Sequence, residues 1–438
     1  MDGALVDADS DTSPAATGWA ALDRNHKLLL ALLGATSFFD GFDRGILTVA
    51  LPQIRDSFDL DQGQMSLWVS ILYVGALPAL LLTRRADRVG RRKLLLISIV
   101  GYTISTGLTA FAPSIGWFVT FQFVARLFLN AEHALVFTLA AEELPAKARG
   151  FGFGFLSMNL ALGVGLSAIV FGAGFEPAGI SWRVMYLVGL PPLVLIGWLR
   201  RRIPESKRFE AARDGGELTG SWRAIFAPGH RRWLLLLCAT AFLLELGTHA
   251  SVFSQDFLQE DKGLSSTLAS LMLVAAGLPG IPIMVWAGGL SDRLGRRVVG
   301  CALGFLGVVG AVGFFWLPGG VPVLLAFMAL TLVGQMGAGP VLGTYATELF
   351  PTALRGQAGS WAKVAAVGGQ AGSLALGGIL ISLTGGLPGA ATMLMVGPVA
   401  AIVIFAMHFP DTHGRELENT AGGFPDIDGV AAELATPI

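Results

Sequence analysis

Long apolar runs, each closed by a short polar or basic cluster, recur along the whole chain. An α-helix needs about 20 such residues to cross ~30 Å of hydrocarbon. The pattern predicts twelve spans, at 28–51, 64–83, 94–112, 116–141, 151–175, 183–199, 233–257, 265–289, 298–316, 321–347, 357–384 and 386–408. The polar clusters between them repeat as well. Asp87-Arg88-Val89-Gly90-Arg91-Arg92 returns as Asp292-Arg293-Leu294-Gly295-Arg296-Arg297. Glu142, Pro145, Arg149 and Gly150 return as Glu348, Pro351, Arg355 and Gly356, and Pro204-Glu205 returns as Pro410-Asp411. Three markers in one order and one phase imply duplication of a six-span unit. Two parallel copies of a helical membrane unit are an architecture of transporters.

Composition strengthens the membrane reading. Hydrophobic residues make up 53% of the chain and charged residues 14%, with a mean hydropathy of +0.64; an ordinary soluble domain has about 25% charged residues. The basic residues set an orientation. Of the 30 lysines and arginines, only Arg55, Arg183 and Lys262 fall in connections on one side, and Arg44, Arg126 and Lys363 lie inside spans. The rest gather on the other side, which the positive-inside rule makes cytoplasmic, together with both termini. The expected organisation is a cytoplasmic tail over 1–27, a first half over 28–199, a cytoplasmic linker over 200–232, a second half over 233–408 and a cytoplasmic tail over 409–438. A net charge of −1, with its cations explained by topology, argues against nucleic acid as a partner. The acidic start has no apolar core of a removable signal. Cys238 and Cys301 stand in different spans without a spacing partner, which argues against a disulfide, a metal site or a resident cofactor.

Ionisable residues inside the spans are the functional candidates, because each is costly in hydrocarbon and tends to face a cavity or a partner. In span 1, Asp40, Asp43 and Arg44 share one side of the helix by i,i+3 and i,i+4 spacing. Neighbouring carboxylates favour a shared proton while Arg44 favours their charged form, so the group is suited to proton exchange; the alternative is a static ion pair. Span 7 places Glu245 and His249 at the repeat-equivalent depth. Glu245 is a candidate for proton coupling or substrate binding, and His249 is a second proton candidate, or a histidine that is simply hydrogen-bonded. Span 4 carries Arg126, Asn130 and His133 on one face, with Glu132 beside them. Arg126 is the best single carboxylate binder, since its guanidinium offers a forked donor; the competing role is a salt bridge to Glu132 or Asp40. Gln335 and Tyr345 of span 10 are candidate cavity residues. Lys363 of span 11 is another, unless it snorkels to the interface.

The repeated Asp-x-x-Gly-Arg-Arg loops, the paired Glu-x-x-Pro-x-x-x-Arg-Gly segments and the Pro204-Glu205-Ser206 and Pro410-Asp411-Thr412 ends resemble the major facilitator superfamily. The Asp40-Gly41-Phe42-Asp43 run is similar to that of its aromatic-acid/proton symporters, and the span-end motifs are similar to those of sugar porters. The resemblance implies an all-α membrane fold of twelve transmembrane helices in two pseudo-symmetric six-helix halves, with no enzymatic activity. It further implies a cytoplasmic gate built from Asp87, Arg91, Arg92, Glu142 and Arg149 in the first half and Asp292, Arg296, Arg297, Glu348 and Arg355 in the second.

Three buried bases favour a small organic anion, and the remaining acids are left to carry a proton. The expectation is proton-coupled symport of an aromatic or other carboxylic acid by a monomer in the inner membrane, its partners being substrate, protons and lipid. A proton-coupled drug exporter is the alternative; residues 151–175 contain no proline, so the antiporter Gly-Pro motif is missing from its place in span 5. A sugar or polyol porter comes next. A non-transporting membrane sensor is disfavoured by the two gate loops.

Overall fold

The computed structural model describes residues 22–84, 91–145, 149–191, 194 and 224–410. Most of the two expected tails, the loop 85–90 and most of the expected linker 200–232 lie outside the described residues. The described chain is helical, with no strand among these residues. Twelve helical spans follow one another. The first half comprises α1 (Arg24–Val49, extended by Leu51–Ser57), α2 (Gln62–Val74 and Ala76–Arg84), α3 (Arg91–Thr109), α4 (Ile115–Glu143), α5 (Arg149–Ala168 and Ile169–Phe175) and α6 (Trp182–Val188). The second comprises α7 (Pro228–Leu244, continued in shorter pieces to Phe257–Asp261), α8 (Ser266–Gly277 and Gly280–Leu294), α9 (Arg296–Trp316), α10 (Val321–Glu348), α11 (Thr352–Thr384) and α12 (Leu387–Leu394 and Val396–His408). Nine helices among the described residues are long and apolar enough to cross a membrane. Helix α1 is not in that set, because Asp40, Asp43 and Arg44 interrupt its apolar stretch.

Local chemistry sets several boundaries. Asp61 and Gln64 form a reciprocal capping box at the start of α2: the Gln64 backbone N–H donates to Asp61 Oδ1 at 2.7 Å, and the Asp61 N–H donates to Gln64 Oε1 at 3.2 Å. Gly295 turns the chain from α8 into α9 at φ 95°, a conformation that a side chain disfavours. The glycine of the repeated Asp-Arg-Leu-Gly-Arg-Arg motif is therefore required by the turn itself. Pro52 opens the continuation of α1, where its missing N–H leaves no helical bond unmade.

Packing repeats with the sequence. Helix α1 lies on α5 as α7 lies on α11, α3 on α4 as α9 on α10, and α2 on α4 as α8 on α10. The closest of these crossings use glycine in both halves. A Cβ on Gly41 would run into the backbone carbonyl of Leu160, and one on Gly369 into that of Phe242. Small residues at such crossings let helix backbones approach where lipid offers no hydrophobic drive. The halves meet along α2 against α11 and α5 against α8. Large apolar side chains such as Leu81, Phe111, Trp286, Phe305, Leu383 and Met407 are exposed on the outside of the bundle, where a bilayer would cover them.

The two ends of the bundle differ. We call proximal the end where α1 starts and α12 finishes, and distal the opposite end. Toward the distal end a single buried cluster joins both halves, bringing Phe42, Ile54 and Phe118 together with Phe253, Phe257 and Leu374. Toward the proximal end the buried residues form one cluster per half, with Leu30, Leu95 and Leu139 in the first and Leu234, Val341 and Phe405 in the second.

Candidate functional site

The charged residues of the spans meet near mid-depth, where the two halves face each other. Asp40 is buried and fully engaged: Arg44 Nε, one helical turn on, donates to Oδ1 at 2.6 Å, and His133 Nδ1 of α4 lies 2.9 Å from Oδ2. His133 also packs on Phe137, with ring centroids 4.8 Å apart. Asp43 is buried as well, but its Oδ1 has no hydrogen-bond partner. The cations within electrostatic reach of it are Arg126 and Arg44, and the Tyr102 hydroxyl of α3 faces it. The i,i+3 and i,i+4 spacing thus brings the three residues of α1 together but gives them different surroundings.

Arg126 forms no salt bridge to Glu132 or Asp40. Its guanidinium lies 5.0 Å from the centre of the Tyr73 ring, and its Nε is buried without a partner. The physical reason is competition: Asp40 is already taken by Arg44 and His133, so the expected internal bridge has no acceptor there. Asn130 turns its amide back to the Arg126 carbonyl at 2.7 Å. Glu132 is buried among the same helices.

The second half contributes Glu245 at a break in α7. The helix tightens into a single 3₁₀ turn at Glu245–Gly247. Glu245 Oε2 accepts from Thr248 Oγ1 at 2.9 Å and from Gln370 Nε2 of α11 at 3.0 Å. Lys363, two turns before Gln370 on α11, is exposed to the space between the halves and within electrostatic reach of Arg44, Asp40 and Glu245. It turns into the bundle, where the alternative had it snorkelling to an interface. A cavity of about 270 Å³ adjoins Glu245, with Thr248 and Gln335 among its lining residues.

Two other candidates stand apart from this group. His249 is fully buried against Gly377 of α11 and stacks on Phe253 at 4.7 Å, and neither ring nitrogen has a hydrogen-bond partner. The expectation of a simply hydrogen-bonded ring is therefore not met among the described residues. Tyr345 sits in the proximal cluster between Phe405 and Phe409 and donates its hydroxyl to the Pro410 carbonyl at 3.0 Å. It packs there and does not line the cavity at Glu245.

At the proximal end, Arg296 pairs with Glu348 at 2.5 Å, joining the start of α9 to the end of α10 within one half. Arg355 Nε donates to the Phe350 carbonyl at 3.1 Å, and Arg297 is exposed. Asp87 lies outside the described residues, as do the side chains of Arg91, Arg92, Glu142, Arg149 and Asp292. Among the described residues no group of histidine, cysteine, aspartate or glutamate is placed to hold a metal.

The largest polar feature that sequence reasoning missed is at the distal end. Arg55, expected in an exposed loop, is helical and buried. It donates to Asp256 of α7 at 2.7 Å, with side-chain exposures of 9% and 0%. Gln62 Nε2 donates to the other Asp256 oxygen at 2.7 Å, and Glu260 lies 3.2 Å from Arg55. Gln53 Nε2 donates to Gln259 Oε1 at 3.0 Å, a pair separated by 206 residues and hence between repeat-equivalent positions. Ser66 Oγ donates to the Leu374 carbonyl at 2.6 Å and Thr267 Oγ1 to that of Gly172 at 2.5 Å, closing the α2–α11 and α5–α8 seams. The repeat offset carried by Gln53 and Gln259 was the one signal in the sequence that pointed here.

A duplicated bundle of membrane-crossing helices with charged groups buried where its halves meet defines a membrane transporter, not an enzyme. The major facilitator superfamily model matches residues 33–366 and 246–427, and the chain belongs to that family. Among curated relatives it is similar to the niacin transporter NiaP of Acinetobacter baylyi, at 25% identity over 90% of this chain and 96% of that protein. It is also similar to the gallate transporter of Pseudomonas putida, at 28% identity over 85% of this chain and 90% of that one. Among solved structures, the proton:xylose symporter XylE bound to 6-bromo-6-deoxy-D-glucose shares the fold, with a TM-score of 0.72, 18% identity and coverage of 90% and 98%.

Proposed function

We propose that the protein carries a small organic anion, an aromatic or other carboxylic acid, together with protons by alternating access. The observation that carries this reading is the unequal state of the buried charges. Arg126 keeps a buried donor without an acceptor among the described residues, and Lys363 of the other half stands within electrostatic reach of Arg44, so cationic groups are left to receive an anion. Asp43 keeps an unpaired buried oxygen, which makes it the group to take up a proton, while Asp40 is held by Arg44 and His133. Relatives named for niacin and gallate, both ring carboxylates, support the substrate class. With the basic connections cytoplasmic, the proximal end faces the inside of the cell. On this reading the arrangement is inward-facing, and the protein is an inner-membrane monomer with both termini in the cytoplasm. The second-half ends around Arg296, Glu348 and Arg355, with their first-half equivalents, close the proximal end when the distal end opens.

The test is uptake of labelled gallate and 4-hydroxybenzoate into proteoliposomes with and without an imposed pH gradient. Asp43→Asn abolishes gradient-driven accumulation, because asparagine keeps size and hydrogen bonding but takes up no proton. Asp40→Asn abolishes it as well, because Arg44 loses its partner and is left to hold Asp43 charged, and at least one of the two retains substrate exchange. Full accumulation in both variants refutes coupling at α1. Arg126→Lys lowers carboxylate affinity by about 10- to 100-fold, the worth of a charge-assisted hydrogen bond, because an ammonium does not reproduce the fork. Unchanged affinity in the lysine variant refutes Arg126 as the anion site.

A further inference from the structure

The cavity beside Glu245 carries more information than its position. It is lined by α7, α9, α10 and α12 of the second half, is open on one side, and has a volume of about 270 Å³. An apolar cavity of roughly 150 Å³ accepts benzene, so this one holds a single ring with substituents. The backbone of Gly304 and Gly307 on α9 and of Gly334 and Gly339 on α10 lines it together with the side chains of Val308 and Met336, and a Cβ would meet open space at Gly339. Met395 and Pro398 of α12 add an apolar floor. A mostly apolar lining with a few polar groups suits this slot to a ring ligand better than to a hydroxyl-studded one.

Two polar groups enter the slot, and both have hydrogen-bonding capacity to spare. Glu245 is fixed through Oε2 by Thr248 and Gln370, whereas its Oε1 has no hydrogen bond among the described residues. The Gln335 side chain is exposed into the space and makes no hydrogen bond among the described residues. An ionised carboxylate only accepts, so the group that meets Glu245 Oε1 must donate. The slot also adjoins the cationic region, since Gln370, which holds Glu245, stands two turns from Lys363 on the same face of α11, and Lys363 is within reach of Arg44.

We propose that this slot binds the ring of the substrate and reads a hydrogen-bond donor on it. The preferred ligand is a planar ring carboxylate bearing a hydroxyl or ring N–H on the side away from its acid group. Its carboxylate lies toward Arg44, Arg126 and Lys363, and its donor on Glu245 Oε1 with Gln335 alongside. This inference rests on the carboxylate reading above and adds the specificity determinant. Glu245 acts here by binding substrate.

The test measures binding of propionate, benzoate, 4-hydroxybenzoate and 3,4-dihydroxybenzoate to the full-length purified protein by calorimetry. The wild type favours the hydroxylated acids over benzoate by about tenfold or more, as a hydrogen bond to a charged group implies. In Glu245→Gln that ratio falls to within about threefold, since the charge assistance is lost. Gly339→Leu fills the slot from a position where a Cβ meets open space, and lowers the ratio of 4-hydroxybenzoate to propionate affinity by at least about tenfold. It also serves if Glu245→Gln fails to fold. Carboxylate binding with no hydroxyl preference, or with both ratios unchanged in the variants, overturns the slot and leaves the anion reading standing. Absence of binding by all four acids overturns the anion reading and the slot with it.

Discussion

The distal and proximal ends of the bundle are built from repeat-equivalent segments, yet one is sealed and the other is divided. At the distal end the continuations of α1 and α7 carry Arg55 and Gln53 against Asp256 and Gln259, and one apolar cluster spans both halves. At the proximal end the apolar clusters stop at the boundary between halves, and the ion pair Arg296–Glu348 stays inside one of them. Duplication supplies each half with the same scaffold, but the residues added at the ends decide which end a given state holds shut. The difference also separates two uses of a buried charge. Arg55 and Asp256 satisfy each other and hold helices together; Arg126 and Asp43 retain atoms without a partner among the described residues, which the proposed function assigns to a ligand and a proton.

The sharpest way to break this comparison is to lock the sealed end. Gln53 and Gln259 meet side chain to side chain across the distal end at 3.0 Å, so Gln53→Cys with Gln259→Cys, in a background lacking Cys238 and Cys301, is bridged by a short bifunctional methanethiosulfonate that reduction removes. Transport stops when the bridge forms and returns on reduction. Undiminished transport through the cross-linked protein would show that the distal end never opens. A smaller effect is expected from Arg55→Ala, which leaves Asp256 buried without its cation and costs the sealed state about 3–5 kcal/mol. The readout is alkylation of a cysteine placed at Ser66, which is fully buried at the seam: its rate rises in Arg55→Ala and partly reverts in Arg55→Ala/Asp256→Ala. An unchanged rate would mean that the ion pair is not part of the seal. The smallest effect comes from Gln53→Ala. Losing one neutral hydrogen bond to Gln259 removes about 1 kcal/mol, and alkylation at position 66 rises several-fold at most.

Much of this architecture was legible before any coordinates. The apolar runs located the spans because hydrocarbon imposes a length and composition on every helix that crosses it, and the repeated Asp-x-x-Gly-Arg-Arg and Glu-x-x-Pro-x-x-x-Arg-Gly markers exposed the duplication. Helical periodicity also placed Asp40, Asp43 and Arg44 on one side of α1, since i,i+3 and i,i+4 neighbours are fixed by local geometry. What it left open was partnership. Whether Arg126 answers Asp40, Glu132 or nothing depends on where α4 sits against α1, and the answer turned on His133 and Arg44 reaching Asp40 first. The 3₁₀ turn that aims Glu245, and the removal of His249 to a dry contact with Gly377, likewise come from packing against α11.

The sequence alone determined the number, order and duplication of the spans and the inventory of buried charge, because these follow from transfer of each segment out of water. Tertiary structure alone decided that Arg55 finds Asp256 across 201 residues, that Tyr345 packs against Phe405 and Phe409 instead of facing the cavity, and that glycines of α9 and α10 line a slot beside Glu245. Each of those depends on the approach of helices distant in sequence, and no local periodicity encodes how closely two remote backbones meet.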